Sequence, residues 1–329
     1  MSSPLLGQAT PARAPATIHP RAVSLPDRRV TPISGRSWLN QLGWFINETS
    51  MGKTGLWGPA PPQEDDLAAL RASGTGAHER RIVTPSLGSI SMTGADLYRL
   101  ECQGCHRTDG RGVPPEINSM INPVRSTSPE LVRKHMEEVG APMDAKSVRE
   151  LAKQSHAALV QRISHGGYHM PGFLDLNETE IQALVAYVEQ LAGVPGAERR
   201  QLQFNEPTMR VGEHLVKATC HICHDSVGPK PSPAQMMDGE VPPLSTLVAS
   251  KGLDEFVMKV TRGAPATMGV LQLQYRGRMP VFYYIRPEEA TAAYLYLYTY
   301  PPESVTSPAE GSTAAAKAKI TAGARDVHR

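Results

Sequence analysis

Apolar residues recur at helical spacing along several stretches of the chain, and this pattern predicts a mostly α protein. The clearest stretch spans residues 177–191, where Asn177 followed by Glu180 also has the spacing of a helix capping box. The apolar face of this predicted helix consists of Ile181, Leu184, Val185 and Val188. The same reasoning predicts helices over residues 128–139 and 145–164.

The chain also repeats itself. A predicted helix begins at Thr93 or Gly94 and runs into Cys102, and Gly212 precedes Cys220 by the same interval. Further matched positions are Val113–Pro115 with Val241–Pro243, Met170–Phe173 with Met279–Phe282, Glu180 with Glu289, and Tyr187 with Tyr296. Because the flanking segments repeat as well as the cysteines, the pattern indicates two copies of one kind of domain.

The repeat and the composition together predict the organisation of the chain. We expect one domain over residues 91–195 and a second over residues 208–302, joined by a polar linker over residues 196–207. Residues 1–90 are expected to form an irregular N-terminal arm with short helices, because much of this stretch is rich in Pro, Ala, Ser and Arg. Residues 303–329 are of low complexity and are expected to form a flexible tail.

Each predicted domain contains the motif Cys-x-x-Cys-His, at Cys102–His106 and at Cys220–His224. This motif is the attachment signature of a c-type haem. Its two cysteines add to the vinyl groups of one porphyrin, and the adjacent histidine lies under the iron as its proximal ligand. The sequence therefore predicts two covalent c-type haems, with thioether bonds from Cys102, Cys105, Cys220 and Cys223 and proximal ligation by His106 and His224. His221, between the cysteines of the second motif, is expected to be an exposed spacer.

Paired cysteines have two other common uses. A zinc ribbon folds Cys-x-x-Cys pairs together around one ion, and thioredoxin-like proteins use such a pair as a redox dithiol. A redox dithiol does not require an adjacent histidine in both copies, and a zinc ribbon does not require the repeated Met-Pro elements. Haem attachment accounts for the motifs and for the repeated flanks, and the sequence favours it.

Each predicted domain has a helix running into Cys-x-x-Cys-His, a Pro-containing loop, a Met-Pro element and a closing helix. In these features the chain resembles the class I cytochrome c family over residues 91–195 and 208–302. The resemblance implies two tandem domains of that fold. It does not extend to the N-terminal arm or the tail.

The resemblance also implies specific contacts. A backbone carbonyl near Pro115 or Pro243 should accept the Nδ1–H of the proximal histidine and so orient its ring. The first and last helices of each domain should cross near the haem edge, with a glycine close to a tyrosine. The pairs implied at these crossings are Gly94 with Tyr187 and Gly212 with Tyr296.

The sixth ligand of each iron is expected downstream of the motif. In the second domain Met279 is the choice, because it precedes a proline just before the closing helix, and Met268 is the alternative. In the first domain Met170 has the same position, although His165 and His169 lie near enough in the sequence to replace it. Methionine is also a common core residue, so its position in the repeat decides the assignment.

Ligation by histidine and methionine raises the reduction potential of a haem. It also leaves both irons six-coordinate, without an open position for oxygen or peroxide. The sequence therefore favours one-electron transfer between a donor protein and an acceptor protein. Two alternatives remain open: a dihaem enzyme similar to a thiosulfate dehydrogenase or a peroxidase, and an electron-accepting subunit of a dehydrogenase or respiratory assembly.

The net charge says little about binding partners, and the haem motifs indicate where the protein is located. The net charge is +2 and no basic run is present, so nothing indicates binding to nucleic acid. Because attachment of c-type haem is completed outside the bacterial cytoplasm, we expect the protein in the periplasm or on the outer face of the cytoplasmic membrane. Residues 1–30 show no secretory signal and the chain shows no transmembrane run, so we expect a signal or anchor upstream of Met1.

The N-terminal arm contains one apolar and aromatic island, Ser37–Asn47, which predicts one to three helical turns. Two interpretations are open: the island packs back on the protein's own domains, or it anchors the arm to a partner or a membrane surface. A freely diffusing carrier does not need an arm of this length. We therefore expect residues 1–90 to dock on a respiratory or photosynthetic membrane protein complex.

Overall fold

The computed structural model describes residues 19–26, 29–41, 88–112, 114, 117–167, 170–237, 240–263, 279 and 282–304. These parts of the chain are mostly helical, as predicted. The earlier helices are α1 Trp38–Gln41, α2 Gly94–Glu101, α3 Gln103–His106, α4 Ile121–Arg125, α5 Pro129–Glu138, α6 Ala145–His165 and α7 Glu178–Leu191. The later helices are α8 Thr208–Ala218, α9 Pro233–Met237, α10 Leu244–Ser250, α11 Leu253–Arg262 and α12 Pro287–Thr299. We refer to α2–α7 as the first helix group and to α8–α12 as the second helix group.

A small sheet joins three distant segments of the chain. Its strands are β1 Arg21–Ala22, β2 Ser89–Thr93 and β3 Leu202–Pro207, in the order β1-β3-β2. The central strand β3 pairs in parallel with β1 and antiparallel with β2, where Ser89 lies opposite Pro207 and Thr93 opposite Gln203. The segment predicted as a polar linker, residues 196–207, therefore contains a sheet strand that the sequence analysis did not anticipate.

The predicted helices begin at the expected capping residues. Asn177 accepts a hydrogen bond from the N–H of Glu180 at 3.0 Å, and the Glu180 carboxylate accepts the N–H of Asn177 at 2.5 Å. Thr93 and Asp96 form an equivalent capping box at the start of α2. The helices expected over residues 128–139 and 145–164 are α5 and α6.

In both groups the first and last helices cross at a glycine. A Cβ placed on Gly94 would overlap a backbone carbonyl of α7 and would lie 3.0 Å from Cβ of Tyr187. A Cβ placed on Gly212 would overlap a backbone carbonyl of α12 and would lie 2.7 Å from Cβ of Tyr296. Only glycine allows backbones to approach this closely. The two crossings implied by the family resemblance are confirmed.

Two arginine–glutamate pairs connect the helix groups reciprocally. Arg210 of α8 binds the carboxylate of Glu180, in the first turn of α7, at 2.9 and 3.0 Å. Arg99 of α2 binds the carboxylate of Glu289, in the first turn of α12, at 2.6 Å. Both glutamate side chains have 0% exposure, and each also accepts the backbone N–H of the residue that precedes its own helix, Asn177 or Arg286. Each closing helix therefore begins beside a cation from the first helix of the other group, and Glu289 also binds Arg286 of its own group at 2.6 Å.

The first helices of the two groups also contact each other directly. Near the end of α8, the Thr219 hydroxyl donates to the carbonyl oxygen of Leu100 in α2 at 2.6 Å. One turn earlier, Nδ1 of His214 lies 2.7 Å from a carboxylate oxygen of Glu101. Both helices run directly into a Cys-x-x-Cys-His motif, so this contact places the two motifs side by side.

The described part of the N-terminal arm packs on the second helix group. The hydroxyl of Tyr296 donates to the carbonyl oxygen of Thr31 at 2.6 Å. The N–H of Ser226 donates to the carbonyl oxygen of Gly35 at 3.0 Å. The predicted island is seen only in part, because residues 42–47 lie outside the described residues. Across the described helices, none has the length and apolar character needed to span a membrane.

The reciprocal pairs can be tested by removing one buried charge. Replacing Glu289 by glutamine should lower the free energy of unfolding by about 3 kcal/mol, because Arg99 loses its buried counter-charge. Glu288→Gln is the matched control: Glu288 lies in the same turn, is half exposed, and should contribute less than about 1 kcal/mol. Urea unfolding followed by circular dichroism measures both variants. Equal losses of unfolding free energy in the two variants would show that the Arg99–Glu289 pair does not hold the helix groups together.

Candidate functional site

The two Cys-x-x-Cys-His motifs share one local conformation. In the first, the carbonyl oxygen of Cys102 accepts the N–H groups of Cys105 at 3.1 Å and of His106 at 2.9 Å. In the second, the carbonyl oxygen of Cys220 accepts the N–H groups of the corresponding cysteine and histidine at 3.3 and 3.0 Å. All four cysteines are free thiols. The same turn therefore presents two thiols and one imidazole in each motif.

Burial keeps these groups neutral. It raises the pKa of Cys105 to about 11 and that of Cys220 to about 12, so both thiols are protonated at neutral pH. Burial also lowers the pKa of His106 and of His224 below the ordinary value for histidine. A neutral imidazole is the form that binds a metal. The protonation states of both motifs therefore fit haem attachment.

The second histidine is held in the orientation that the resemblance implies. Nδ1 of His224 lies 2.6 Å from the carbonyl oxygen of Pro242, so it donates its proton there and leaves the Nε2 lone pair free for a metal. The accepting carbonyl is one residue before Pro243, which precedes α10. Nδ1 of His106 is buried and has no hydrogen-bond partner among the described residues. Its expected partner region includes Pro115, which lies outside those residues.

The four cysteines do not converge on one metal position. Every cysteine lies in the described parts of the chain, and there no set of three metal-ligating side chains close enough to hold an ion includes one. A zinc ribbon needs four ligands around a single ion. The geometry therefore disfavours the zinc-ribbon interpretation.

The two motifs nevertheless touch. A Cβ placed on Gly104, inside the first motif, would lie 3.3 Å from Cδ1 of Ile222, inside the second. Burial, and then the neighbouring thiol of Cys105, raise the pKa of Cys223 to about 12. Tyr284 reaches the same contact: its buried hydroxyl would lie 3.6 Å from the Cβ on Gly104 and has no hydrogen-bond partner among the described residues.

Met170 lies in a tight turn that follows α6. Its carbonyl oxygen accepts the N–H of Gly167 at 2.8 Å, and its side chain is half-buried against the core. Gly166 has a φ of 74°, and a Cβ there would overlap the carbonyl oxygen of Met170. Glycine at this position is therefore required by the turn that holds Met170. Of the two alternative ligands, His165 is the last residue of α6, and His169 lies outside the described residues.

Met279 is also half-buried and packs against the core. The residues that follow it, Pro280 and Val281, lie outside the described part of the chain, as does the alternative ligand Met268. The assignment of Met170 and Met279 as iron ligands therefore remains a prediction.

Arg107 directly follows the first motif in a strained conformation that the sequence analysis missed. Its φ is 63° and its ψ is 178°, a combination that side chains other than glycine rarely adopt. The hydroxyl of Tyr98 donates to the Arg107 carbonyl oxygen at 2.6 Å. The ring of Tyr98 in turn packs on Tyr187, with centroids 5.3 Å apart. Tyr98 therefore supports the backbone beside His106 and is itself packed against Tyr187, the tyrosine expected at the haem edge; this arrangement leaves no local sequence signal.

The expectation that His221 is an exposed spacer is wrong. Its exposure is 2%, and its ring meets the ring of Trp38 edge-on, with centroids 5.2 Å apart. Nδ1 of His221 also lies 3.1 Å from the carbonyl oxygen of His224. Trp38 belongs to the aromatic island, so the described part of the island packs on the protein's own second motif. The spacing of the motif carries no information about a segment that folds over it.

Comparison with known families identifies one region. Residues 91–192 match the family model described as Cytochrome c. The match contains the first motif, Met170 and the closing helix α7. The free thiols of Cys102 and Cys105, followed directly by His106, fit the covalent haem that such a domain implies. No curated protein and no solved structure matches the chain.

The strain at Arg107 has a measurable consequence. Arg107→Gly should raise the free energy of unfolding by about 1 kcal/mol, because glycine adopts this backbone conformation without a steric penalty. Arg111→Gly, in the same loop but without a positive φ, is the matched control and should be neutral or destabilising. Thermal unfolding of the two variants makes the comparison. A lower melting temperature for both would show that Arg107 is not strained.

Proposed function

We propose that the chain, whose residues 91–192 form a cytochrome c domain, is a dihaem electron carrier with a second such domain over residues 208–302. A cytochrome c domain carries a covalently bound c-type haem and transfers electrons. When bound, each haem supplies one-electron exchange between Fe(III) and Fe(II). The thiols proposed to attach the two haems are Cys102 and Cys105 for the first, and Cys220 and Cys223 for the second.

The observation that carries the proposal is that the second helix group repeats the site of the first. Both motifs have the same pair of backbone hydrogen bonds around their first cysteine. Both first helices cross a closing helix at a glycine, Gly94 or Gly212. In the second group the Nδ1–H of His224 is also satisfied by a proline carbonyl. Such a bond orients a metal-binding imidazole and raises its donor strength.

We assign Met170 and Met279 as the sixth ligands opposite His106 and His224. This assignment is supported by their matched positions in the repeat and by their half-buried packing against the core. Histidine and methionine together would fill the coordination positions that the porphyrin leaves. The chain's residues would then exclude exogenous ligands, which favours electron transfer over catalysis at the haem.

The contact between the motifs supports transfer within the chain. The attachment segments meet at Gly104 and Ile222, so haems bound to them would share a short protein path. Tyr284 is buried beside this contact and would exclude water from it. We propose that electrons enter at one domain and leave from the other, to a donor and an acceptor protein that bind different faces.

We further propose that the protein works in the periplasm or on the outer face of the cytoplasmic membrane. Docking to a respiratory or photosynthetic membrane complex would use the part of residues 1–90 that is not engaged by the chain's own second helix group. Cross-linking mass spectrometry on native membranes tests this proposal. Links from the arm to a membrane complex would support it, and links only within the chain would contradict it.

Two haems per chain are expected. The pyridine haemochrome of the purified wild-type protein should give a stoichiometry of two. The paired variant Cys220→Ser with Cys223→Ser should give one haem, because only the first motif can still form thioethers. The matched control is Cys102→Ser with Cys105→Ser, which should leave the other haem. A stoichiometry of one in the wild-type protein would leave only the first domain as a haem site.

The proposed ligand Met279 can be tested by opening its position. In the reduced wild-type protein, carbon monoxide should not bind rapidly to either haem. Met279→Ala should allow rapid binding at one haem and should lower its midpoint potential, because the thioether that favours Fe(II) is lost. Met258→Ala in α11 removes a part-exposed methionine of the same group and should change neither property. Rapid binding by the wild-type protein would instead favour the dihaem enzyme.

A further inference from the structure

We propose that Glu180, Glu206 and His214 form a binding site for a divalent transition-metal ion between the two helix groups. Glu180 comes from the first turn of α7, Glu206 from strand β3 and His214 from the middle of α8. None of the three belongs to a Cys-x-x-Cys-His motif, and the proposal does not depend on the second haem.

The three side chains are buried and converge. His214 and Glu180 have 0% exposure and Glu206 has 2%. Nε2 of His214 lies 3.3 Å from Oε1 of Glu180 and 3.9 Å from Oε1 of Glu206. Neither Nε2 of His214 nor Oε1 of Glu206 has a hydrogen-bond partner among the described residues. Two buried polar atoms are thus aimed at one point without being satisfied there, which is costly unless a ligand occupies it.

These distances fit ligands around an ion better than a direct hydrogen bond. A charged N–H···O bond has a length of about 2.7–2.9 Å. Two ligands that each lie about 2.0–2.1 Å from a tetrahedral ion are roughly 3.3 Å apart. The 3.3 Å between Nε2 of His214 and Oε1 of Glu180 matches this ligand–ligand distance. The 3.9 Å between Nε2 of His214 and Oε1 of Glu206 would shorten modestly when an ion binds.

Glu101 supplies the carboxylate that a metal-binding histidine normally has as hydrogen-bond partner for its other ring nitrogen. Its Oε1 lies 2.7 Å from Nδ1 of His214, and both side chains have 0% exposure. A histidine that binds a metal through Nε2 usually donates its Nδ1–H to a carboxylate, which fixes the tautomer and the ring orientation. With Glu101 on Nδ1, it is Nε2 of His214 that faces the two glutamates.

The charge of the surroundings also favours binding of a cation. Arg210 is buried and binds Glu180, Glu213 and Asp175, so a single guanidinium is shared by three carboxylates. Lys217 offsets part of this charge through Glu213. Glu206 has no cationic partner besides His214 among the described residues. Buried carboxylates in such excess must bind a proton or a metal ion.

The donor set defines the class of metal. One imidazole and two carboxylates, with no thiolate, suit zinc or another divalent first-row ion rather than calcium, which prefers an all-oxygen shell. Because its ligands come from both helix groups, the ion would join them at the point where α2 and α8 meet.

The test uses the full haem-bearing chain after treatment with a chelator, dialysed against Zn²⁺ and assayed by elemental analysis. One zinc per chain is expected in addition to the haem iron. Glu206→Gln and His214→Gln should weaken zinc binding at least tenfold, and Glu101→Gln should weaken it about 10- to 100-fold. Glu213→Gln is the matched control, because it removes a buried carboxylate of α8 that is not a proposed ligand, and it should retain zinc.

X-ray absorption at the zinc edge distinguishes this site from zinc held by cysteines. Coordination by nitrogen and oxygen alone is expected, and a Zn–S distance of about 2.3 Å would overturn the proposal. This measurement needs only the wild-type protein, so it decides the question even where a variant fails to fold. The proposal would also be overturned by no zinc uptake together with a protonated-carboxyl infrared band that Glu206→Gln removes. That result would show that a proton occupies the site instead.

Discussion

The structure depends on two buried ion pairs, Arg99–Glu289 and Arg210–Glu180, in which an arginine of one helix group binds a glutamate of the other. Glu180 and Glu289 lie in the first turns of the closing helices and are fully buried, and each binds an arginine from the other group's first helix, although Glu289 also binds Arg286 of its own group. A buried carboxylate without a cation costs several kcal/mol, so Glu180 at the start of α7 depends on Arg210 of the other group, and Arg99 of the first group adds a second cation beside Glu289. The chain therefore folds as one body although its two groups repeat a single design.

These two ion pairs determine how the two Cys-x-x-Cys-His motifs are placed relative to each other. Arg99 and Arg210 lie on α2 and α8, and holding these helices side by side brings Gly104 against Ile222. The same contact gathers Glu101, Glu180 and His214 into one buried cluster. The proposed electron path and the proposed metal site are thus two consequences of one packing arrangement of the same pair of helices.

Local features were predictable and long-range ones were not. The capping box of Asn177 acts through neighbours whose spacing is visible in the sequence, whereas the long-range crossing at Gly94 was implied only by the family resemblance. Strand β3 was missed because only two of its buried residues, Leu202 and Phe204, are apolar, which is too short an alternation to read. His221 was misjudged because Trp38, far away in the sequence, covers it.

By itself the sequence determined the local chemistry: two Cys-x-x-Cys-His motifs and the helices that lead into them. These depend on spacing within a few turns of chain, which the order of residues specifies directly. Only the tertiary structure decided that the motifs touch, that the arm covers the second one and that carboxylates from three elements surround His214. Several of these contacts join residues more than a hundred positions apart, such as Trp38 with His221 and Gly104 with Ile222, and tertiary packing and the burial of charge, rather than any periodicity, select them.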